Sequence, residues 1–179
     1  KKKYCKKMNI KTIDYNSQTA KKDFFTSLHE TGFAVIENHP ISKDDLNAIY
    51  SSWKNFFNSD KKNLWLRDPI KQDGYFPFKS ENAKSSSYKD LKEFYHVYPW
   101  GKVPNELETI TRKMYDELNK IGVELLSWLD DEMPKNISNI LSEKLSNMMM
   151  HSEQSLLRIL HYPPLEEEVE VGASRAAEH

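Results

Sequence analysis

Cysteine is almost missing from this chain: Cys5 stands alone among 179 residues, so no internal disulfide can form. That fits a reducing, cytoplasmic setting and excludes CxxC redox and zinc motifs. Glycine is scarce too, at five residues, and no Gly-rich phosphate loop, dinucleotide fingerprint or G-x-S-x-G elbow occurs. Neither sign of charge dominates. The 26 basic and 27 acidic residues leave a net charge of −1, which gives no electrostatic basis for binding nucleic acid. Long apolar runs are lacking and mean hydropathy is −0.77, so no membrane-spanning helix is expected. The opening KKKYCKKMNI carries five lysines with no apolar segment behind them. It reads as a solvated terminus, not a secretory signal.

What remains, at 38% hydrophobic, suits one ordinary soluble domain or the larger part of a bigger one. Asn9–Tyr15 alternates as a short strand. Residues 19–32 predict a helix with Phe24, Phe25 and Leu28 on its apolar face and Gly32 as its stop. Phe33–His39 is β-branched and aromatic, which predicts a buried strand. Ser42, with Asp45 three residues on, opens a helix carrying Leu46, Ile49, Tyr50, Trp53, Phe56 and Phe57 at helical spacing.

Residues 60–90 are polar and turn-rich, yet GYFPF (Gly74–Phe78) within them is too aromatic for a featureless linker. Asp90–Trp100 alternates Leu91, Glu93, Tyr95 and Val97 against Lys92, Phe94, His96 and Tyr98, a strand apolar on both faces. A long amphipathic helix is expected over Asn105–Asp131 on Leu107, Ile110, Met114, Leu118, Ile121, Leu125 and Leu129. A second is expected between Pro134 and Met148, with Ile137, Ile140, Leu141 and Leu145 inward. The Met148–His151 run reads as irregular core filling. Leu156–Tyr162 is a last strand, halted by Pro163 and Pro164, and Glu166–Val171 reads as a solvated loop. The pattern is α+β.

Six histidines occur: His29, His39, His96, His151, His161 and His179. None forms HExxH, HxH or another close pair, so spacing alone nominates no metal site. The residues by themselves imply a soluble α+β fragment and stop there.

Four stretches, in order, carry a resemblance. TGFAVIENHPIS (Thr31–Ser42) resembles an N-terminal strand and turn ending in Asn-His-Gly-Ile, with Pro40 in place of the usual glycine. GYFPFKSENAK (Gly74–Lys84), followed by DLKEFYHV (Asp90–Val97), is similar to a Gly-Tyr-x-Pro-Phe…Asp-Leu-Lys-Glu-Phe series. LRILHYPPL (Leu157–Leu165) resembles an Arg-x-x-x-Tyr-Pro-Pro strand, and GASRAAEH (Gly172–His179) the run into a His-x-Asp metal motif. Together they are similar to the isopenicillin N synthase-like family of non-haem iron(II), 2-oxoglutarate-dependent oxygenases, over nearly the whole chain.

The resemblance implies a double-stranded β-helix (jelly-roll) fold. Residues 1–154 would form the N-terminal strands and buttressing helices, and 155–179 the first strands of the catalytic core. By the same resemblance His179 is the first iron ligand, and the rest of the metal site is expected beyond the chain's end. Tyr162 matches a tyrosine whose hydroxyl reaches 2-oxoglutarate, although Leu160 replaces the asparagine that often accompanies it. Arg158 shares a strand face with Leu160 and Tyr162 by alternation, so it is expected to bind an acidic substrate or cosubstrate. Arg175 and Glu178 flank the metal residue in supporting or surface positions, and His39, His96 and His161 read as structural.

Fe(II) and 2-oxoglutarate are the implied cofactor and cosubstrate, with O2 and a small-molecule substrate as partners and no nucleic acid or membrane. No residue is assigned as a catalytic acid, base or nucleophile. An iron oxidase of the same family that uses no 2-oxoglutarate is one alternative, and a non-catalytic jelly-roll binding domain is another.

Overall fold

A computed structural model describes residues 10–82 and 89–165. The expectations for Cys5 and the lysine-rich start, for Glu166–Val171, and for Arg175, Glu178 and His179 lie outside the described residues. In chain order the elements are β1 (Thr12–Asp14), α1 (Ala20–Thr31), β2 (Val35–Glu37) and α2 (Lys43–Phe57), then a 3-10 helix (Asp60–Trp65). They continue as β3 (Gly74–Phe76), β4 (Glu93–Val97), α3 (Glu108–Glu132), α4 (Lys135–Ser138), α5 (Leu145–Met150) and β5 (Leu157–His161). By contact density the chain divides into two units. The first joins residues up to Ser42 with Asp116–Ser152, and the second joins Lys43–Tyr115 with residues from Glu153 onward.

In the first unit β1 and β2 pair in parallel, Ile13 opposite Ile36, with α1 as the connection. Gly32 closes α1 in the left-handed conformation, φ 77°, and its N–H donates to the Leu28 carbonyl. That is the stop its position predicts. Ile13, Ala20, Phe24 and Trp128 form the core, flanked by Leu28, Ala34, Ile36, Leu125 and Leu129. The buried-strand expectation for Phe33–His39 needs correction: Phe33 and Val35 are exposed, at 60% and 51%. Only one side of a two-stranded ribbon meets this core, so β2 alternates where a doubly covered strand would not.

The helix expected between Pro134 and Met148 is also corrected, since it breaks into α4 and α5. The Asp130 carboxylate accepts the N–H groups of Leu145 and Ser146 at 2.8 and 3.0 Å and the Ser146 hydroxyl at 2.7 Å. A side chain distant in sequence thus caps a new helix start, and the break leaves Ile137 and Ile140 in solvent. Of the methionine run, Met149 fills space over Gly122, where an added Cβ would lie 2.7 Å from its Cε. Met148 and Met150 are exposed.

In the second unit β3, β4 and β5 form an antiparallel sheet with β4 in the middle. Every residue of β4 is buried. One sheet face packs on α2, with the rings of Trp53, Phe56 and Phe57 against Tyr75, Tyr95 and His161. Tyr50, expected on that stripe, is instead 76% exposed, one residue round the helix from the buried Ile49. The long helix starts at Glu108, three residues after the expected Asn105, because Pro104–Leu107 closes a turn first, with the Leu107 N–H donating to the Pro104 carbonyl. Among the described residues no helix is long and apolar enough to cross a membrane.

The aromatic stretch GYFPF, the anomaly of the polar region, supplies β3. Its first residue, Gly74, has φ 108°, and an added Cβ would lie 2.9 Å from the Trp65 carbonyl oxygen and 3.0 Å from the Arg67 Cα. Backbone atoms cannot swing away, and the φ value disfavours any L side chain. Gly74→Ala is expected to lower stability by about 2 kcal/mol or more, read as an earlier urea midpoint at unchanged slope.

Candidate functional site

The face of the β3–β4–β5 sheet turned away from α2 collects the chemically useful side chains. Pairing places Phe76 opposite Phe94, His96 opposite Arg158 and Phe94 opposite Leu160. Because strand side chains alternate, all five stand on one face. Phe76 and Phe94 stack with centroids 4.4 Å apart, and the His96 ring lies 4.5 and 5.0 Å from them. The result is a buried aromatic floor.

Cations rim this floor. The Arg158 guanidinium lies over the Phe94 ring at 4.9 Å, and Arg67 over Phe76 at 5.0 Å. Guanidinium on an aromatic face is favourable and leaves the in-plane N–H edges available. Arg158 is exposed, and its Nε–H donates to His96 Nε2 at 2.8 Å. Neither of these partners is anionic, and no carboxylate pairs with Arg158 among the described residues.

The hydrogen bonds fix the state of His96. Its Nδ1 lies 3.0 Å from the Gln72 carbonyl oxygen, which can only accept, so Nδ1 carries the proton and Nε2 accepts from Arg158. Burial away from water, helped by the Arg158 charge and opposed by the bond to Gln72, brings the imidazole pKa down to about 4. At neutral pH His96 is an uncharged acceptor.

The opposite face holds a separate buried cluster. Glu93, 2% exposed, accepts from Lys62 at 2.9 Å, meets His161 Nδ1 at 2.7 Å and accepts the Tyr75 hydroxyl. Burial acts to raise the Glu93 pKa, but the bonds from Tyr75, Lys62 and His161 outweigh it and hold the carboxyl below its ordinary range. Burial and the Glu93 bond drive the Tyr75 phenol well above its usual value. His161 also stacks on Phe57 at 5.1 Å, which ties this cluster to α2.

Of the anticipated site residues, Arg158 stands on the aromatic face, and Tyr162 follows β5 directly, 37% exposed. His179 lies outside the described residues. Phe76, Phe94 and His96 are not among the site residues the sequence nominates. The alternation in Asp90–Trp100 already puts Phe94 and His96 on one side, but only the cross-strand register brings Arg158 to them. Among the described residues no group of three or more His, Cys, Asp or Glu could hold a metal ion.

Residues 10–117 match the family model described as non-haem dioxygenase in morphine synthesis N-terminal. A crystal structure of a putative oxygenase from Shewanella oneidensis is 44% identical, with a TM-score of 0.84, over 96% of this chain and 62% of that one. A full-length Neurospora crassa protein, crystallised in complex with alpha-KG, is 22% identical, with a TM-score of 0.69, over 95% and 60%. Jasmonate-induced oxygenase 1 of Arabidopsis thaliana is 22% identical over 87% of this chain and 42% of its own length. The chain therefore spans less than two thirds of these relatives. With the matched region covering more than half of its residues, the chain belongs to the non-haem dioxygenase N-terminal family.

Proposed function

We propose that this chain is part of an Fe(II)- and 2-oxoglutarate-dependent oxygenase that oxidises a small organic acid. The family membership supports the reaction class, and the Neurospora crassa complexes with alpha-KG and with thymine illustrate a cosubstrate and a small planar ligand on the same fold. The observation that carries the substrate side is the exposed Arg158 guanidinium on a buried aromatic floor, bonded to a neutral imidazole and to no carboxylate among the described residues. A cation so placed favours an anionic group, and the adjoining Phe94 and Leu160 favour apolar carbon next to it.

In this reading residues 155–179 begin the jelly-roll core. Tyr162 offers its hydroxyl to 2-oxoglutarate, and His179 is an iron ligand. Bound iron and cosubstrate would supply the oxidising power for attack on a C–H bond. The contribution of the residues described is narrower: Arg158 holds and orients an anion, while Phe76 and Phe94 keep water from beneath it.

The test uses the intact protein, prepared without oxygen and given Fe(II) and then 2-oxoglutarate. A weak visible charge-transfer band, lost in His179→Ala, is the expected result. Iron binding without a band on adding 2-oxoglutarate would instead indicate an oxidase that needs no such cosubstrate. Failure to bind iron at all would overturn the oxygenase reading.

A further inference from the structure

Arg158 is held on two of its three recognition surfaces. One face of the guanidinium covers Phe94, and the Nε–H is committed to His96. What stays available is the Nη1–Nη2 edge, since no other partner of Arg158 occurs among the described residues. That edge is a planar two-donor fork whose geometry matches a carboxylate taken bidentately.

We propose that His96 is a positioning residue that locks Arg158 so that its Nη1–Nη2 edge receives the carboxylate of the organic substrate. This rests on the reading of Arg158 as the anion-receiving group and adds to it the residue that sets the orientation and the class of anion. The lock is built from the strand upward. The register places His96 and Arg158 as direct neighbours. Gln72, in the turn before β3, accepts from Nδ1 and so leaves Nε2 as an acceptor. Phe76 and Phe94 pack against the imidazole as tilted rings at 4.5 and 5.0 Å, which restricts its movement. Without the acceptor the arginine side chain regains its rotamers, and ordering it again on binding weakens the affinity. Near neutral pH the imidazole is uncharged, and the lock needs no protonation change to operate.

The experiment is NMR of the intact protein labelled with 15N in arginine and histidine, titrated separately with benzoate, benzamide and 2-oxoglutarate. Before any ligand, His96 is expected in the Nδ1–H tautomer, with the Arg158 Nε–H resonance sharp and slow to exchange. The opposite tautomer overturns the proposal without any variant being made. Benzoate should shift Arg158 and benzamide should not. His96→Phe, which keeps an aromatic ring packed against Phe76 and Phe94 but removes the acceptor, should weaken benzoate about tenfold. His96→Gln, whose amide oxygen can accept in place of Nε2, should restore most of that loss.

The arms separate the possible failures. If Arg158→Met binds benzoate as the parent does, the anion-receiving reading of Arg158 falls. If Arg158→Met loses binding while His96→Phe keeps it, that reading stands and the positioning role of His96 falls. If 2-oxoglutarate shifts Arg158 while benzoate does not, the carboxylate belongs to the cosubstrate, and the assignment to substrate is overturned.

Discussion

Replacing Trp53 with alanine is expected to cost about 3–5 kcal/mol, among the largest losses for a truncation in the second unit. The indole is 2% exposed. It meets Phe56 at 5.1 Å, Phe57 at 6.0 Å and Tyr95 at 4.9 Å, so it joins α2 to the middle strand of the sheet. Its Nε1–H donates to the Thr111 hydroxyl at 3.0 Å, and Thr111 is fully buried. Alanine would therefore leave a cavity and strip a buried hydroxyl of its donor at once. Trp53→Phe keeps most of the volume and loses the hydrogen bond, so it should cost about 1–2 kcal/mol. Urea unfolding followed by far-UV circular dichroism separates the two. An alanine variant within about 1 kcal/mol of the parent would mean that the neighbouring rings collapse into the space.

Glu93→Ala is expected to cost a comparable amount, about 3–5 kcal/mol at neutral pH, because it leaves Lys62 facing the protein interior without its anion. The charge itself is tested by Glu93→Gln, which retains shape and some hydrogen bonding. The pH dependence gives a sharper reading. The Glu93 pKa is lowered by folding, so its ionised form stabilises the parent above the ordinary carboxylate pKa, and that contribution is lost as the pH falls through the folded value. Glu93→Gln lacks this term, and the stability gap to the parent should shrink on acidification. His96 acts at higher pH. Its pKa falls from 6.5 to about 4 on folding, so below pH 6.5 the unfolded chain takes up a proton that the folded one refuses. Stability then declines toward pH 4 by about 3 kcal/mol in all. In His96→Phe that decline should be missing, which thermal unfolding at a series of pH values would show.

Much of the fold was legible because it rests on local rules. The Gly32 stop, the α2 stripe of Ile49, Trp53, Phe56 and Phe57, and the two-faced strand around Phe94 and Tyr95 each follow from spacing alone. What misled were the places where distant groups decide. Asp130 starts α5 from across the sequence and breaks a helix that Ile137 and Ile140 suggested. β2 lacks a cover on one side, which its own apolar residues cannot reveal. The site divides in the same way. The strand position of Arg158 could be read from alternation, whereas its placement beside His96 and the Phe76–Phe94 floor needed a register that no single segment encodes.

That register also has a history during synthesis. His96 and Arg158 are 62 residues apart, and three helices are made between them. At about 5–20 residues per second on the ribosome, β4 emerges roughly 3–12 seconds before β5 can pair with it. Through that interval a strand destined for burial on both sides has only β3 beside it. Long-range pairing of this kind pays its loop-closure entropy late. The nascent chain thus carries a strand that ends up fully buried with one edge unpaired until the strand that bears Arg158 arrives, and the cation is set over the aromatic floor in the same step that closes that edge.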